Sequence, residues 1–396
     1  MSAAPVPLDR RGLALLAGGH MCTDLCQGAV PALLPFLIAE RGYSYSAAAS
    51  LVLAVTVGSS VIQPVFGHAA DRLRAAWLMP VGIALAGLGI GLAGVAPNYG
   101  LTFAAIALAG VGVAAFHPEG ARFANYASGT RKGSGMSFFS VGGNAGFALG
   151  PALVTPCVLL LGLHGTLAVA VLPAIAAITL ALSLPHFEGL RPGSSGRPPV
   201  AHDSGPDEWG PFARLTGVIS LRSCVYFGLQ AFVPIYLVTE LGASKAGGNA
   251  ALTVMLASGA IGTLVGGRVA DRVNPRVILV GATTVLAPLI AGFLLSGSTL
   301  AVPLLAAIGF VVVGTFSITV MLGQAYLPSR IGTASGVTLG AAIGVGGLAA
   351  PVLGWIADHH GLDAAMWTMA VIPLPAIALV LTLPRVAGRR RVARAA

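Results

Sequence analysis

Charged residues are scarce in this sequence. Only 9% of its 396 residues are Asp, Glu, Lys or Arg, whereas 56% are apolar and the mean hydropathy is +0.87. One soluble core has too little interior to bury so much apolar surface, so the composition excludes an ordinary soluble globular protein. Lipid is therefore the expected solvent, and the 54 Gly and 26 Pro residues fit membrane helices that pack through small side chains.

Cysteine and enzyme motifs are also lacking. The four cysteines lie inside apolar runs without a CxxC pair, which argues against a disulfide framework or a zinc finger. No HExxH occurs, and the one GxSG sequence, at 193–196, lies in a polar stretch. We therefore expect no enzymatic activity, no cofactor and no resident metal ion.

The net charge of +9 is not concentrated in one basic patch. Lys and Arg residues lie between apolar runs, so nucleic acid is not an expected partner. The first apolar run carries His20 and Asp24 and continues without an A-x-A-like cleavage site. It predicts a retained first helix and not a cleaved signal peptide.

Apolar stretches long enough to cross about 30 Å of hydrocarbon recur along the whole chain. They cover roughly 12–39, 45–69, 75–96, 99–127, 133–162, 165–184, 212–239, 246–269, 276–296, 299–327, 332–357 and 362–383. The sequence thus predicts an all-α membrane protein of twelve transmembrane helices.

The only long polar interval is 185–211, whose Pro, Gly and Ser content is typical of a flexible linker. We predict an N-terminal six-helix bundle at 1–184 and a C-terminal six-helix bundle at 212–396. If the linker and both termini are cytoplasmic, Arg41 and Lys245 face outside, two arginines lie within spans, and 18 of the 22 Lys and Arg residues are cytoplasmic. This distribution obeys the positive-inside rule.

The two halves are related by an internal repeat at an offset near 200. GHAADR at 67–72 matches GRVADR at 267–272, and Phe116 matches Phe316. Six spans per repeat give both halves one orientation, which predicts parallel bundles with a substrate site at their interface. Glycines also recur every fourth residue in spans five and eleven, which indicates either tight static packing or sliding at a gate. These stripes are Gly142, Gly146 and Gly150, and Gly332, Gly336, Gly340 and Gly344.

Two motif copies resemble the G-x-x-x-D-R signature of the major facilitator superfamily. They are formed by Gly67, Asp71 and Arg72, and by Gly267, Asp271 and Arg272. HMCTDLCQ (20–27), SSVIQPVFGHAADR (59–72), FHPEGARFANYASGTRKG (116–133) and SFFSVGGNAGFALGP (137–151) further resemble the fosmidomycin-resistance branch. This resemblance implies the major facilitator fold of two six-helix bundles, a gating role for the signature, and proton-coupled export across the bacterial inner membrane.

Few ionisable residues lie deep inside the predicted spans, and each is a functional candidate because charge is costly there. Asp24, Glu119 and Arg222 lie about 13, 12 and 11 residues from the cytoplasmic ends of spans one, four and seven, near mid-membrane. The resembled fold lines its cavity with these spans. We therefore expect the three residues to share one site.

Proton coupling is the role predicted for the acidic and histidine residues. His20 and Asp24 share one helical face, and Glu119 pairs with Arg122 three residues on. His117 is separated from Glu119 by Pro118, which disturbs regular helix geometry. We predict Asp24, Glu119, His20 and His117 as the coupling residues. The alternative is that each pair is inert and only holds helices together.

Substrate binding is predicted for polar residues in the same spans. No acidic residue lies within one turn of Arg222, so it needs a partner from another helix or an anionic substrate. For several of the others, structural hydrogen bonding or packing is an equal alternative. The predicted substrate-binding residues are Arg222, Arg122, Gln27, Asn144, Gln63 and Tyr226.

The sequence therefore predicts a monomeric transporter that exports a small anionic or amphiphilic molecule, such as a phosphonate-type drug, in exchange for protons. Its expected partners are that substrate, protons and lipid. Two alternatives remain open. His20, Asp24, His117 and Glu119 would suit a divalent-metal carrier, and an organic-anion carrier without proton antiport also fits.

Overall fold

The computed structural model describes residues 7–63, 65–66, 75–191, 206–270 and 272–384. This part of the chain is helical, without strands. In the first half the helices are α1 (Arg10–Arg41), α2 (Tyr45–Ser60), α3 (Leu78–Val95), α4 (Tyr99–Ala127), α5 (Lys132–Leu161), α6 (Gly165–Val169), α7 (Val171–Leu182) and α8 (Leu184–Gly189). In the second half they are α9 (Trp209–Thr239), α10 (Lys245–Ala270), α11 (Pro275–Leu295), α12 (Ala301–Gly314), α13 (Phe316–Tyr326), α14 (Ile331–Gly336), α15 (Ala342–His360), α16 (Leu362–Val371) and α17 (Pro373–Leu381).

These helices account for the twelve predicted spans. Nine described helical runs are long and apolar enough to cross a membrane, and one of them, 133–182, is 50 residues long and covers two spans. The shorter apolar helix α2 and the interrupted helix over 331–360 supply the other two. Large apolar side chains stay exposed on them, with Leu160 82% and Leu182 80% exposed. In water such exposure would be unfavourable, whereas lipid accommodates it. The prediction of twelve membrane-spanning helices is confirmed.

Local signals set the ends of the first helices. Asp9 caps α1 by accepting from the Gly12 N–H, and Ser44 caps α2 by accepting from the Ala47 N–H. Gly42 ends α1 with φ of 66°, a left-handed conformation that glycine adopts without strain. Arg41, in the last turn of α1, donates to the carbonyl of Ala96 at 2.6 Å and so satisfies a free carbonyl at the end of α3.

Two compact units divide the chain, one formed by 1–199 with 233–253 and the other by 200–232 with 254–396. The predicted division into 1–184 and 212–396 differs mainly by the segment 233–253, which comprises the end of α9 and the start of α10. The predicted linker at 185–211 begins on helix α8, and 192–205 lies outside the described residues. The two homologous bundles stay a prediction from the repeat.

In the first unit, α1 packs against α5 through glycine. A Cβ on Gly142, Gly146 or Gly150 would overlap the backbone of α1. Close backbone approach of this kind lets helices associate in lipid, where no hydrophobic effect drives them together. The first predicted glycine stripe therefore serves tight packing within one unit.

The segment 233–253 is fastened to the first unit by polar contacts. The Asn249 side chain is buried and donates from Nδ2 to the Ala32 carbonyl at 3.0 Å and to the Thr155 hydroxyl at 2.8 Å. The Lys245 ammonium lies 4.8 Å from the centre of the Phe36 ring. Buried hydrogen bonds of this kind hold helix ends in register, because breaking them would leave polar groups unsatisfied in an apolar environment.

The second unit contains interrupted helices. The span-ten helix divides at Thr315 into α12 and α13, and span eleven carries a π-helical turn over Val337–Ala341. Such interruptions expose backbone and side-chain polar groups and are frequent at functional sites. In the second glycine stripe, a Cβ on Gly336 would have no neighbour within 4 Å. This glycine therefore lacks the close backbone packing of the first stripe.

Candidate functional site

Three ionisable side chains converge inside the first unit. His20 Nε2 lies 3.2 Å from Asp24 Oδ2, His117 Nε2 lies 3.4 Å from Asp24 Oδ1, and the two Nε2 atoms lie 3.2 Å apart. The side chains of His20, Asp24 and His117 are 11%, 13% and 23% exposed. We call these residues the His–Asp–His cluster. The predicted pairing of His20 with Asp24 is confirmed, and His117 joins it from α4.

Backbone carbonyls orient both imidazole rings. His20 Nδ1 donates to the Phe139 carbonyl at 2.9 Å, and His117 Nδ1 donates to the Val113 carbonyl at 2.7 Å. A carbonyl only accepts, so the Nδ1 atoms carry the protons and each neutral ring presents an Nε2 lone pair to the cluster. The facing atoms of the cluster are then all acceptors. This arrangement is repulsive unless a cation lies among them.

Apolar rings enclose the cluster on one side. The His20 ring stacks on Phe139 with centroids 4.2 Å apart, and Phe116 lies 5.9 Å from it. Both phenylalanines are buried. These walls limit the water available to solvate charge and strengthen the electrostatic interactions within the cluster.

Glycine at position 143 gives the cluster its room. A Cβ on Gly143 would overlap His20 Nε2 and approach Asp24 Oδ2 to 2.7 Å. Sequence reasoning did not select this residue. The sequence signal that could have found it is the pair Gly142–Gly143. Gly142 belongs to the glycine stripe, and Gly143 adds a second residue without a side chain next to it.

Glu119 forms a second, separate pair. Its side chain is fully buried, and Arg122 Nη1 donates to its Oε1 at 3.2 Å, as the three-residue spacing predicted. The four-residue metal set that included Glu119 is wrong, since only His20, Asp24 and His117 form a group of potential ligands within 4.8 Å of one another in the described residues. The physical reason is helical rotation, because residues two apart on α4 project in nearly opposite directions.

Arg222 lies in the second unit. Its Nη1 donates to the Thr315 hydroxyl at 3.1 Å, and its guanidinium carbon lies 5.7 Å from the centre of the Phe316 ring. Within the described residues it forms no ion pair, whereas the spacing predicted only that its own helix supplies no acidic partner. The small cavity beside it has mostly apolar walls, including Leu221, Leu279 and Leu286. Thr315, where span ten is interrupted, was not selected from the sequence.

The remaining predicted substrate-binding residues are only partly buried. Gln27 Nε2 makes a long contact of 3.4 Å with the Ser59 hydroxyl. The side chains of Gln63 and Asn144 are partly exposed and form no hydrogen bond with the described residues. Tyr226 lies one turn beyond Arg222 on α9 and packs edge-on against Phe227. Their role in binding stays a prediction.

Most of the repeated signature lies where the structure gives no description. Gly67, Asp71, Arg72 and Asp271 are outside the described residues. Gly267 lies on α10 with open space where a Cβ would be, and Arg272 follows this helix with an exposed side chain. The gating role of the motif stays a prediction.

Comparison with known protein families gives one description for most of the chain. Residues 16–351 match the family model described as Major Facilitator Superfamily. The chain is 32% identical over 380 residues to the uncharacterized MFS-type transporter YfnC of Bacillus subtilis (strain 168), covering 92% of this chain and 90% of that protein. It is 30% identical over 369 residues to the fosmidomycin resistance protein of Escherichia coli (strain K12), covering 91% and 90%.

Solved structures share the fold. A bacterial homologue of the human lysosomal transporter Spinster, in an inward-facing and occupied conformation, superposes with a TM-score of 0.78 at 15% identity, covering 97% of this chain and 98% of that one. The nucleoside transporter NupG superposes with a TM-score of 0.76 at 14% identity, covering 94% and 99%. At these identities the likeness concerns the fold alone.

Proposed function

The chain belongs to the major facilitator superfamily, and from this premise we propose that it is a proton-coupled antiporter that exports small anionic or amphiphilic compounds. The relative named as a fosmidomycin resistance protein supports a phosphonate-type drug as one substrate. Multi-pass membrane transport follows from the family. Placement in the bacterial inner membrane with cytoplasmic termini, a monomeric state and alternating access between two bundles belong to the proposal.

The His–Asp–His cluster is the observation that carries proton coupling. Its facing atoms are acceptors when both histidines are neutral, so a bound proton converts lone-pair repulsion into a charge-assisted hydrogen bond. Burial makes the charge state depend on whether water reaches the cluster. Asp24, His20 and His117 then load a proton from one side of the membrane and release it to the other. Glu119 is the second candidate carboxyl, held by Arg122.

Arg222 supports an anionic substrate. Its guanidinium has a hydroxyl and an aromatic ring as neighbours, and both leave donors available for a phosphonate or carboxylate. The other proposed substrate contacts are Arg122, Gln27, Asn144, Gln63 and Tyr226. Gly67, Asp71, Arg72, Gly267, Asp271 and Arg272 are proposed to gate the cavity.

Transport in proteoliposomes tests this function directly. We expect the purified protein to accumulate fosmidomycin against its gradient when a pH gradient is imposed, and to exchange it in counterflow without one. Asp24→Asn or Glu119→Gln should abolish the accumulation and leave some counterflow, because exchange at equilibrium needs no net proton movement. Glu188→Gln, an exposed carboxylate paired with Arg191, is the matched control and should transport normally.

Two results would contradict the proposal. If both carboxyl variants still concentrate substrate with wild-type pH dependence, neither group couples protons. If accumulation ignores the pH gradient in the wild type, the chain is an organic-anion carrier without antiport. Arg222→Gln tests the substrate contact separately, since loss of anion binding is expected there and unchanged affinity would reduce Arg222 to a structural role.

A further inference from the structure

The spacing within the His–Asp–His cluster is larger than a proton needs. Charge-assisted N–H···O hydrogen bonds are about 2.7–2.9 Å long. The two N···O separations here, 3.2 and 3.4 Å, are longer than that, and the two Nε2 atoms lie 3.2 Å apart. A proton joins only two atoms at a time, whereas these three residues converge on one region. One bound proton therefore leaves the third residue without a share in it.

A tetrahedral metal ion accounts for the convergence of all three residues. Zn²⁺ bonds to imidazole nitrogen and carboxylate oxygen at about 2.0–2.2 Å, which puts neighbouring ligand atoms about 3.3–3.5 Å apart. His20 Nε2 and His117 Nε2 lie 3.2 Å apart, and they face different oxygens of Asp24, Oδ2 at 3.2 Å and Oδ1 at 3.4 Å. Each of these distances is close to the tetrahedral edge, with the carboxylate presenting both oxygens to the ion. One aspartate and two neutral imidazoles are donors that zinc-class ions prefer, whereas Mg²⁺ and Ca²⁺ prefer oxygen.

The surroundings match those of metal-binding histidines. A ligating histidine usually donates its second ring N–H to a carbonyl or carboxylate, which fixes the ring and directs the other nitrogen at the metal. His20 does so to Phe139 and His117 does so to Val113. Ring orientation is therefore fixed before any ion binds. Phe139 lies on α5, which packs against α1, and Val113 lies on α4 one turn before His117.

A buried carboxylate oxygen and a glycine bear on ion binding at the cluster. Asp24 Oδ1 is buried and accepts no hydrogen bond from the described residues. A Cβ on Gly143 would overlap His20 Nε2 and lie 2.7 Å from Asp24 Oδ2, so any larger residue would collide with the atoms that face the ion. A residue without a side chain at this position is therefore a condition for the site.

We propose that His20, Asp24 and His117 form a binding site for one divalent ion of the zinc class, with the fourth coordination position left to water. The ion binds the lone pairs of the two Nε2 atoms and of the Asp24 carboxylate, which are the atoms that bind protons in the proposed function. Bound Zn²⁺ therefore blocks proton-coupled transport. The inhibition rests on the proposed function, whereas the binding does not.

Cobalt titration of the purified protein in detergent, without a polyhistidine tag, tests the binding. Tetrahedral Co²⁺ absorbs visible light far more strongly than octahedral aqueous Co²⁺, so the spectrum reports coordination independently of transport. We expect saturation at one Co²⁺ per chain and displacement by Zn²⁺. Asp24→Asn and His117→Ala should each lose the band.

The matched control is His186→Ala. His186 contacts Asp9 at 2.7 Å and forms a His–Asp pair away from the cluster. This variant should bind Co²⁺ as the wild type does. Equal loss of the band in the His186 variant would overturn the assignment, as would a wild type without a saturable tetrahedral spectrum.

His20→Cys distinguishes the loss of a ligand from a failure to fold, because it replaces one metal ligand with another. Thiolate sulfur is a strong ligand for this class of ion, so the variant should retain binding and gain a sulfur-to-cobalt charge-transfer band in the near ultraviolet. An unchanged spectrum would exclude His20 as a ligand and overturn the three-residue site.

Transport assays distinguish the two proposals. Proton-driven accumulation in chelator-treated buffer tests the proposed function without metal. Zn²⁺ added at the same pH should inhibit the wild type with one-site saturation. Loss of transport in metal-free buffer contradicts the antiport proposal alone, whereas normal transport with no Co²⁺ binding overturns the metal site alone.

Discussion

The two repeats carry different chemistry at matching positions. At an offset of 200, the charged and histidine residues of the first repeat correspond to small neutral residues in the second. The pairs are His20 and Ser220, Asp24 and Cys224, His117 and Ser317, and Glu119 and Thr319. Thr319, for example, satisfies its hydroxyl by donating to the Phe316 carbonyl of its own helix at 2.8 Å. These positions in the second repeat need no charge partner.

Arg222 shows the opposite difference, because it stands where the first repeat has Cys22. In the first unit the buried charges are compensated locally, as Arg122 compensates Glu119. Arg222 forms no ion pair within the described residues, and its guanidinium contacts the Thr315 hydroxyl and the Phe316 ring. The comparison teaches that the two repeats carry different ionisable residues at positions that match in sequence. A cation-binding first unit and an anion-binding second unit fit the proposed antiport.

The largest expected effect is a difference in unfolding free energy between variants of Arg122 and Arg222. Arg122→Gln leaves the fully buried Glu119 without a guanidinium bonded to it, and removing one partner of a buried pair costs about 3–5 kcal/mol. Arg222→Gln leaves no buried carboxylate in this position and should destabilise much less. Denaturant unfolding of both variants in mixed micelles measures the difference. If both variants lose the same unfolding free energy, the comparison is wrong, because Arg222 would then compensate a buried charge as Arg122 does.

A smaller effect separates the two glycine stripes. Gly146→Ala places a methyl group against the Met21 carbonyl of α1, and overpacking of this kind costs about 1–3 kcal/mol. Gly336→Ala meets open space and should be neutral or slightly stabilising, because alanine favours helix. The same unfolding assay applies. If Gly336→Ala loses as much unfolding free energy as Gly146→Ala, the two stripes do not differ in packing. Gly336 would then make close contacts in another conformation.

The smallest expected effect concerns the start of the first helix in each unit. Asp9 caps α1, whereas Asp207, two residues before α9, accepts from the Ser329 N–H at 3.1 Å and from the Ser329 hydroxyl. These hydrogen bonds hold the pKa of Asp207 below its usual range. The stabilisation is therefore present above the unfolded carboxyl pKa of about 3.9 and is lost as pH falls through the folded value.

Asp207→Asn should remove this acid dependence with little change at neutral pH, since exposed interactions of this kind contribute little. Thermal unfolding of wild type and variant between neutral pH and about pH 3 provides the measurement. Ser329→Ala is the companion variant and should behave similarly. Parallel pH curves for wild type and both variants would contradict the assignment.

Much of the fold and part of the site could be predicted from local spacing. Apolar run length placed the helices, and separations of four and three residues placed His20 beside Asp24 and Glu119 beside Arg122. His117 was selected as a candidate, but its distance from Asp24 depends on how α4 packs against α1. Spacing along one helix carries no information on that packing. The contacts of Asn249 with Ala32 and Thr155 escaped prediction for the same reason.

The sequence by itself determined the solvent, the number of spans, the repeat and the chemical types available inside the membrane, because each follows from composition or periodicity along the chain. Only the tertiary structure decided which of those groups meet. It turned both imidazole Nδ1 atoms toward carbonyls, packed Gly143 against the cluster and separated Glu119 from it. These outcomes depend on helix rotation and on approach between helices, and a displacement of about one bond length is enough to make or break such contacts.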